Sequence, residues 1–179
     1  METHKIDPVV FQPLSSEALC ALQNHIKEVR RCFDWPGIPY HDANEPEANR
    51  FNRWYWHNLP LLRSIHNSAE FIATATKIFG RAVKPSYVFL SMYGLEGVCP
   101  LHQDRQQCQF TIDLCVNSDG EWPIFVDEKP YVSKPGDALA YSGTGQPHYR
   151  KSMKESGTCT YMDLAFFHFV PTEWQGALG

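Results

Sequence analysis

The chain has 179 residues, enough for one well-packed domain and short for two. Hydrophobic residues at 43% and aromatics at 13% supply a real core and exclude a disordered chain. A formal charge of -4 gives no overall attraction to nucleic acid, and no run approaches the roughly 18 apolar residues that span a bilayer. The local basic clusters, Arg30-Arg31 and Lys77, Arg81, Lys84, read as solvated faces. The six cysteines form no Cys-x-x-Cys pair, and the first residues carry no apolar signal segment, so reduced thiols in the cytoplasm are expected.

The first part of the chain reads as helical. After Pro13 and the candidate caps Ser15 and Ser16, the apolar residues Leu19, Leu22, Ile26, Val29 and Phe33 fall three and four apart, one stripe along a helix that Trp35-Pro36-Gly37 ends. Residues Asp34 to Asn44 read as a loop. A second helix is expected from near Pro46, with Phe51, Trp54 and Tyr55 on one side, until Pro60 stops it. A third runs from the cap Ser68 through Phe71, Ile72, Ala75, Ile78 and Phe79 to Gly80. These stripes are packing faces, expected to cover the outside of a sheet.

The remainder reads as strands. Tyr87 to Tyr93 is β-branched, aromatic and aliphatic, and Gln109 to Asn117 alternates with period two. Ile124 to Val126 and Tyr131 to Val132 are short strands. Lys134-Pro135-Gly136-Asp137 fits a type II turn that feeds a strand from Ala138 to Tyr141. His148 to Lys151 and Thr158 to Val170 bring the set to about eight strands with no helical crossovers between them. A small antiparallel jelly-roll barrel closes such a set, giving a mainly β, α+β chain flanked by about three helices. The expected division is one domain, with a helical covering segment over 1–84, a barrel core over 85–170 and a tail over 171–179.

Within the barrel, Leu101-His102-Gln103-Asp104 and Pro147-His148-Tyr149-Arg150 bracket the region of interest. On an extended segment His102 and Asp104 point to the same side, because strand residues alternate faces. With His148 they make a 2-His-1-carboxylate set, which leaves one face of a metal open and suits non-haem Fe(II). Taken singly, His102 reads as a hydrogen-bonded loop histidine and Asp104 as a turn carboxylate; the combination carries the metal reading. His168 is the reserve ligand. The aromatic candidates for substrate walls are Trp54, Trp56, Trp122, Tyr87 and Phe125.

Over about residues 85 to 170, the pattern His102-x-Asp104, then His148, resembles the 2-oxoglutarate/Fe(II)-dependent oxygenases. Tyr93-Gly94-Leu95-Glu96-Gly97 ahead of the first histidine and Pro135-Gly136-Asp137-Ala138-Leu139-Ala140-Tyr141 ahead of the second are similar to segments of that family. The resemblance implies a double-stranded β-helix, a cupin-like jelly roll, that binds Fe(II), 2-oxoglutarate and O2. Its expected reaction is oxidation, by hydroxylation, of an unactivated C–H bond in a small molecule such as an amino acid or natural-product intermediate, or in a short peptide. Succinate and CO2 are the coproducts; desaturation and ring closure stay open, and the carboxylate at Asp104 favours hydroxylation over halogenation.

The sequence departs from the family where a cation after the second histidine pairs with the far carboxylate of 2-oxoglutarate: residues 157 to 161 read Gly-Thr-Cys-Thr-Tyr. Arg150, facing the same way as His148, is the expected substitute. Tyr93, Thr160 and Tyr161 offer hydroxyls to the same anion, and Arg105 is a lesser candidate. Two other readings fit the same residues: a non-catalytic metal- or ligand-binding cupin-like protein, and a metal-dependent enzyme that does not use 2-oxoglutarate.

Overall fold

The computed structural model describes residues 5–31, 51–57 and 59–178. Phe33, the loop over Asp34 to Asn44 and the expected helix start at Pro46 lie outside them. Among the described residues, ten strands and four helices follow in the order β1 (Val9–Phe11), α1 (Ser16–Arg31), β2 (Arg53–His57), α2 (Pro60–His66), α3 (Ala69–Phe79), β3 (Val83–Gly94), β4 (Cys99–His102), β5 (Phe110–Ser118), β6 (Ile124–Val126), β7 (Lys129–Tyr131), β8 (Ala138–Tyr141), β9 (His148–Arg150), α4 (Met153–Ser156) and β10 (Tyr161–Pro171). They form a six-stranded sheet, β1-β8-β5-β10-β3-β2, and a four-stranded sheet, β4-β9-β6-β7. Every strand pair is antiparallel. This is the expected double-stranded β-helix. No helix among the described residues is long and apolar enough to cross a membrane.

The helices pack on the outer face of the larger sheet, as their stripes predict. Leu22 and Ile26 of α1, Leu62 of α2, and Phe71, Ala75 and Phe79 of α3 share one buried core with alternate residues of β3, β5 and β10. Phe79 stacks on Phe110 at 4.7 Å between ring centres. Both ends of α3 are as expected: Ser68 Oγ accepts from the Phe71 amide at 3.2 Å, and Gly80 takes a left-handed φ of 66°.

The second expected helix is a correction. Residues 53–57 form β2, which pairs along β3 from Arg53 opposite Tyr93 to His57 opposite Phe89. The run Arg-Trp-Tyr-Trp-His is rich in aromatic residues, which fit a pleated surface better than a helix. Pro60 then opens α2 rather than ending a helix, since its fixed φ suits a first helical turn. The segment ahead of residue 85 therefore supplies two edge strands, β1 and β2, besides its helices.

Two features of the barrel position the site. The turn at Lys134 to Asp137 forms as expected, with Gly136 at φ 97° and the Asp137 amide donating to the Lys134 carbonyl at 2.8 Å. The period-two pattern of β5 separates two interiors rather than inside from outside, since every residue from Phe110 to Asn117 is buried. Phe110, Ile112, Leu114 and Val116 meet the helices. Thr111 and Asp113 instead bond groups of the cavity between the two sheets.

Candidate metal centre

His102 ends β4 and is the direct cross-strand partner of His148 on β9. Their ring centres are 4.3 Å apart. Asp104 Oδ1 lies 3.6 Å from His102 Nε2 and 3.7 Å from His148 Nε2. Across the three side chains, the ligand atoms all fall within 4.8 Å of one another. Each imidazole is fixed from behind: His102 Nδ1 donates to the Pro100 carbonyl at 2.8 Å, and His148 Nδ1 to the Gln146 carbonyl at 2.9 Å. A carbonyl only accepts, so Nδ1 carries the proton and both Nε2 atoms turn to the point shared with Asp104.

Asp104 reaches that point by another route than strand alternation, for it lies beyond the end of β4. Its amide donates to the Gly143 carbonyl at 2.8 Å, and its Oδ2 accepts from Thr111 Oγ1 at 3.0 Å. The same hydroxyl accepts from His168 Nδ1 at 3.0 Å. His168, the reserve ligand of the sequence reading, thus supports Asp104 through Thr111. Burial lowers its pKa to about 4, which keeps it neutral. A Cβ on Gly143 would stand 2.3 Å from Asp104 Oδ2 and 2.4 Å from the Cys108 carbonyl, so only glycine fits there.

The electrostatics favour a cation at the shared point. Burial alone would raise the Asp104 carboxyl, but the two imidazoles hold it well below the usual carboxylate range. Burial likewise works against charge on His102, and Asp104 and Cys99 outweigh it, pushing the imidazole up to about 10. An ionised carboxylate beside two imidazole nitrogens, all pre-oriented by bonds from behind, fits a divalent metal.

The triad borders a cavity of about 240 Å³ between the sheets. Its apolar wall is Phe51, Phe89, Ile124, Tyr141 and Phe166, and Arg53, Arg105 and Arg150 also line it. None of the five expected wall aromatics borders it. Trp122 is fully buried, and its Nε1 donates to the Lys151 carbonyl at 2.8 Å; Phe125 stacks on Tyr149 at 4.8 Å. Trp54 packs toward the helical core and Trp56 is 41% exposed. Tyr87 stands behind the cavity, stacked on His168 at 5.7 Å.

The residues expected to meet 2-oxoglutarate divide. Arg150 and Tyr93 are both buried and line the cavity, and exposed Arg105 lies at its edge with its guanidinium 5.6 Å over the Tyr87 ring. Arg150 is already engaged: Nη2 donates to Asp113 Oδ2 at 2.9 Å and Nη1 to the Trp122 carbonyl. Burial works against its charge, and Asp113 more than offsets this. Thr160 and Tyr161 are not brought to the cavity. The Thr160 hydroxyl donates to Asp119, and the Tyr161 ring lies 4.7 Å under the Arg30 guanidinium. Sequence reasoning missed Arg53, hidden by the helix assigned to its segment, and Gly143, whose only signal is a glycine in the loop before His148.

No family model matches the chain, and no curated protein is similar to it. Solved structures are. AviO1 from Streptomyces viridochromogenes Tue57 superposes with a TM-score of 0.71 at 13% identity, over 97% of this chain and 93% of that one. HygX from Streptomyces hygroscopicus, solved with nickel and 2-oxoglutarate bound, gives 0.64 at 11% identity, over 93% and 83%. EctD from S. alaskensis, solved with 2-oxoglutarate and 5-hydroxyectoine, gives 0.65 at 13% identity, over 92% and 72%. The chain has their fold. At such identities the likeness speaks for architecture, and the chemistry rests on the residues described above.

Proposed function

We propose that the protein is an Fe(II)- and 2-oxoglutarate-dependent dioxygenase. It hydroxylates an unactivated C–H bond of a small molecule, such as an amino acid or natural-product intermediate, with succinate and CO2 as coproducts. The observation that carries this reading is the convergence of His102 Nε2, Asp104 Oδ1 and His148 Nε2 at the edge of a cavity between the two sheets. The fold supports it, since HygX and EctD share that fold and have been solved with 2-oxoglutarate bound.

His102, Asp104 and His148 would hold the metal. Thr111 and the missing side chain of Gly143 keep Asp104 in place, and the Pro100 and Gln146 carbonyls keep both imidazoles turned. Bound iron, with 2-oxoglutarate and O2, supplies the oxidising chemistry. Phe51, Phe89, Ile124 and Phe166 exclude water and seat apolar substrate atoms, in a volume suited to small molecules. Arg150, Tyr93 and Arg105 are the proposed partners of carboxylate oxygens. Free thiols at Cys20, Cys99, Cys108, Cys115 and Cys159 accord with a reducing compartment, the cytoplasm.

The test is turnover. Purified protein with Fe(II), ascorbate and O2 should convert 2-oxoglutarate to succinate slowly alone and faster with a substrate from a panel of amino acids and peptides. Complete absence of succinate across the panel favours the non-catalytic binding protein, and tight zinc with no oxygen requirement favours a hydrolase or isomerase.

A further inference from the structure

Arg105, Arg150 and Arg53 line the cavity, and they differ in what they already hold. Arg150 is neutralised by Asp113, and Arg105 is exposed. Arg53, half-buried on β2, has no carboxylate within ion-pair distance among the described residues. Its Nη1 donates to the Tyr93 hydroxyl at 3.1 Å, and its Nε is buried with no acceptor. Aromatic rings surround the guanidinium, Phe51 at 4.4 Å, Phe89 at 5.3 Å, Tyr55 at 5.7 Å and Tyr93 at 5.8 Å.

Ring faces stabilise a cation but accept no proper hydrogen bond, so the Nε–H edge stays unsatisfied. A half-buried guanidinium whose Nε–H is shut off from water and from any acceptor is poorly compensated, and a planar fork among aromatic rings suits a bidentate carboxylate. Tyr93 completes the set. Burial raises its pKa, so the hydroxyl keeps a proton to donate while its oxygen accepts from Arg53. The position relative to the metal centre is set by Phe51, whose ring lies under Arg53 at 4.4 Å and edge-on to His102 at 5.9 Å. Arg53 is therefore one ring away from a metal ligand and inside the same cavity.

We propose that Arg53, with the Tyr93 hydroxyl, is a carboxylate-binding position of this cavity. The inference rests on the oxygenase reading for the identity of its ligand. The carboxylate it would take is either the far carboxylate of 2-oxoglutarate or one carried by the primary substrate.

The experiment is calorimetric titration of the Ni(II)-loaded protein, wild type against Arg53→Ala, Arg53→Gln and Arg53→Lys, with folding checked by circular dichroism. The first arm adds 2-oxoglutarate; the second adds glutarate, first to the Ni(II) protein and then to the protein already saturated with 2-oxoglutarate. Loss of a charge partner inside the cavity predicts about 30-fold weaker binding for alanine and glutamine, with lysine between. Weakened 2-oxoglutarate binding assigns Arg53 to the cosubstrate. Unchanged 2-oxoglutarate binding with lost glutarate binding in the saturated protein assigns it to a substrate carboxylate. Variants that bind both compounds as wild type does overturn the proposal. A wild type that ignores 2-oxoglutarate but binds glutarate through Arg53 overturns the oxygenase reading alone, and one that binds neither overturns both.

Discussion

The amide of Asp104 donates to the carbonyl of Gly143 at 2.8 Å, while the bare Cα of Gly143 makes room for the Asp104 carboxylate. One residue thus both tethers the proposed ligand and leaves space for it. Gly143→Ala should displace Asp104, since the added methyl meets a carboxylate oxygen and a main-chain carbonyl rather than a flexible side-chain tip. We predict a loss of metal affinity of about tenfold or more, the range expected when the support of a ligand is disturbed. Fe(II) or Co(II) titration checks it; wild-type affinity in a folded alanine variant would show that the tether is dispensable.

Thr111 joins Asp104 to His168 through one hydroxyl, with 3.0 Å on either side. Thr111→Val keeps the shape and removes the bridge, leaving two buried groups short of a partner. Metal affinity should fall about 10- to 100-fold, and Thr111→Ser should retain most of it. Equal affinities for valine and serine would mean that the hydroxyl plays no part in holding Asp104.

These two supports also mark where sequence reasoning stops. The barrel strands from β3 onward, the covering helices α1 and α3, the turn at Gly136 and the three residues of the candidate metal centre are legible, because period, caps and spacing are local properties, whereas the edge strands β1 and β2 are not. Strand alternation puts Asp104 on a regular strand, yet it is aimed by Gly143 and Thr111, contacts that only the tertiary fold creates. The segment at Arg53 misled through Pro46 and Pro60, which suit helix boundaries, while its aromatic run pairs with β3 instead. The fate of Arg150 was equally hidden. Alternation aims it toward His148's side, but nothing local reveals that Asp113, on another strand, already holds it.

The pair of Arg150 and Asp113 is almost wholly buried, with side chains 3% and 1% exposed. Removing one member leaves the other charged and unpaired, so Asp113→Ala should cost about 3 to 5 kcal/mol of stability in urea unfolding. Replacing both, Arg150→Met with Asp113→Leu, should restore much of that loss. If the single variant unfolds at the wild-type midpoint, the pair contributes nothing to the barrel. Should Arg150 also meet 2-oxoglutarate, the dissociation constant rises from wild type to lysine to alanine at equal metal content.

His66 supplies a pH dependence away from the metal ligands. It is 2% exposed, and its Nε2 donates to the His168 carbonyl at 2.9 Å. Burial lowers its pKa from 6.5 to about 3, so the folded state resists a proton that the unfolded chain accepts. Stability attributable to the neutral ring is therefore full above pH 6.5 and is lost as pH falls toward 3. Between pH 7 and pH 4.5 that loss is about 2 to 3 kcal/mol. His66→Gln, which keeps a donor, should flatten the acid limb of the stability curve by about that amount; an unchanged limb would place the titrating group elsewhere.

The central claim is that His102, Asp104 and His148 hold one metal that accepts 2-oxoglutarate. The most direct measurement is anaerobic titration of the protein with Fe(II) and then 2-oxoglutarate, following the visible charge-transfer band of the chelate. The account predicts a band that saturates at one iron and one 2-oxoglutarate per chain and that vanishes in His148→Ala together with tight iron binding. A wild-type protein with no such band, or a His148→Ala variant with wild-type metal stoichiometry and affinity, would contradict it.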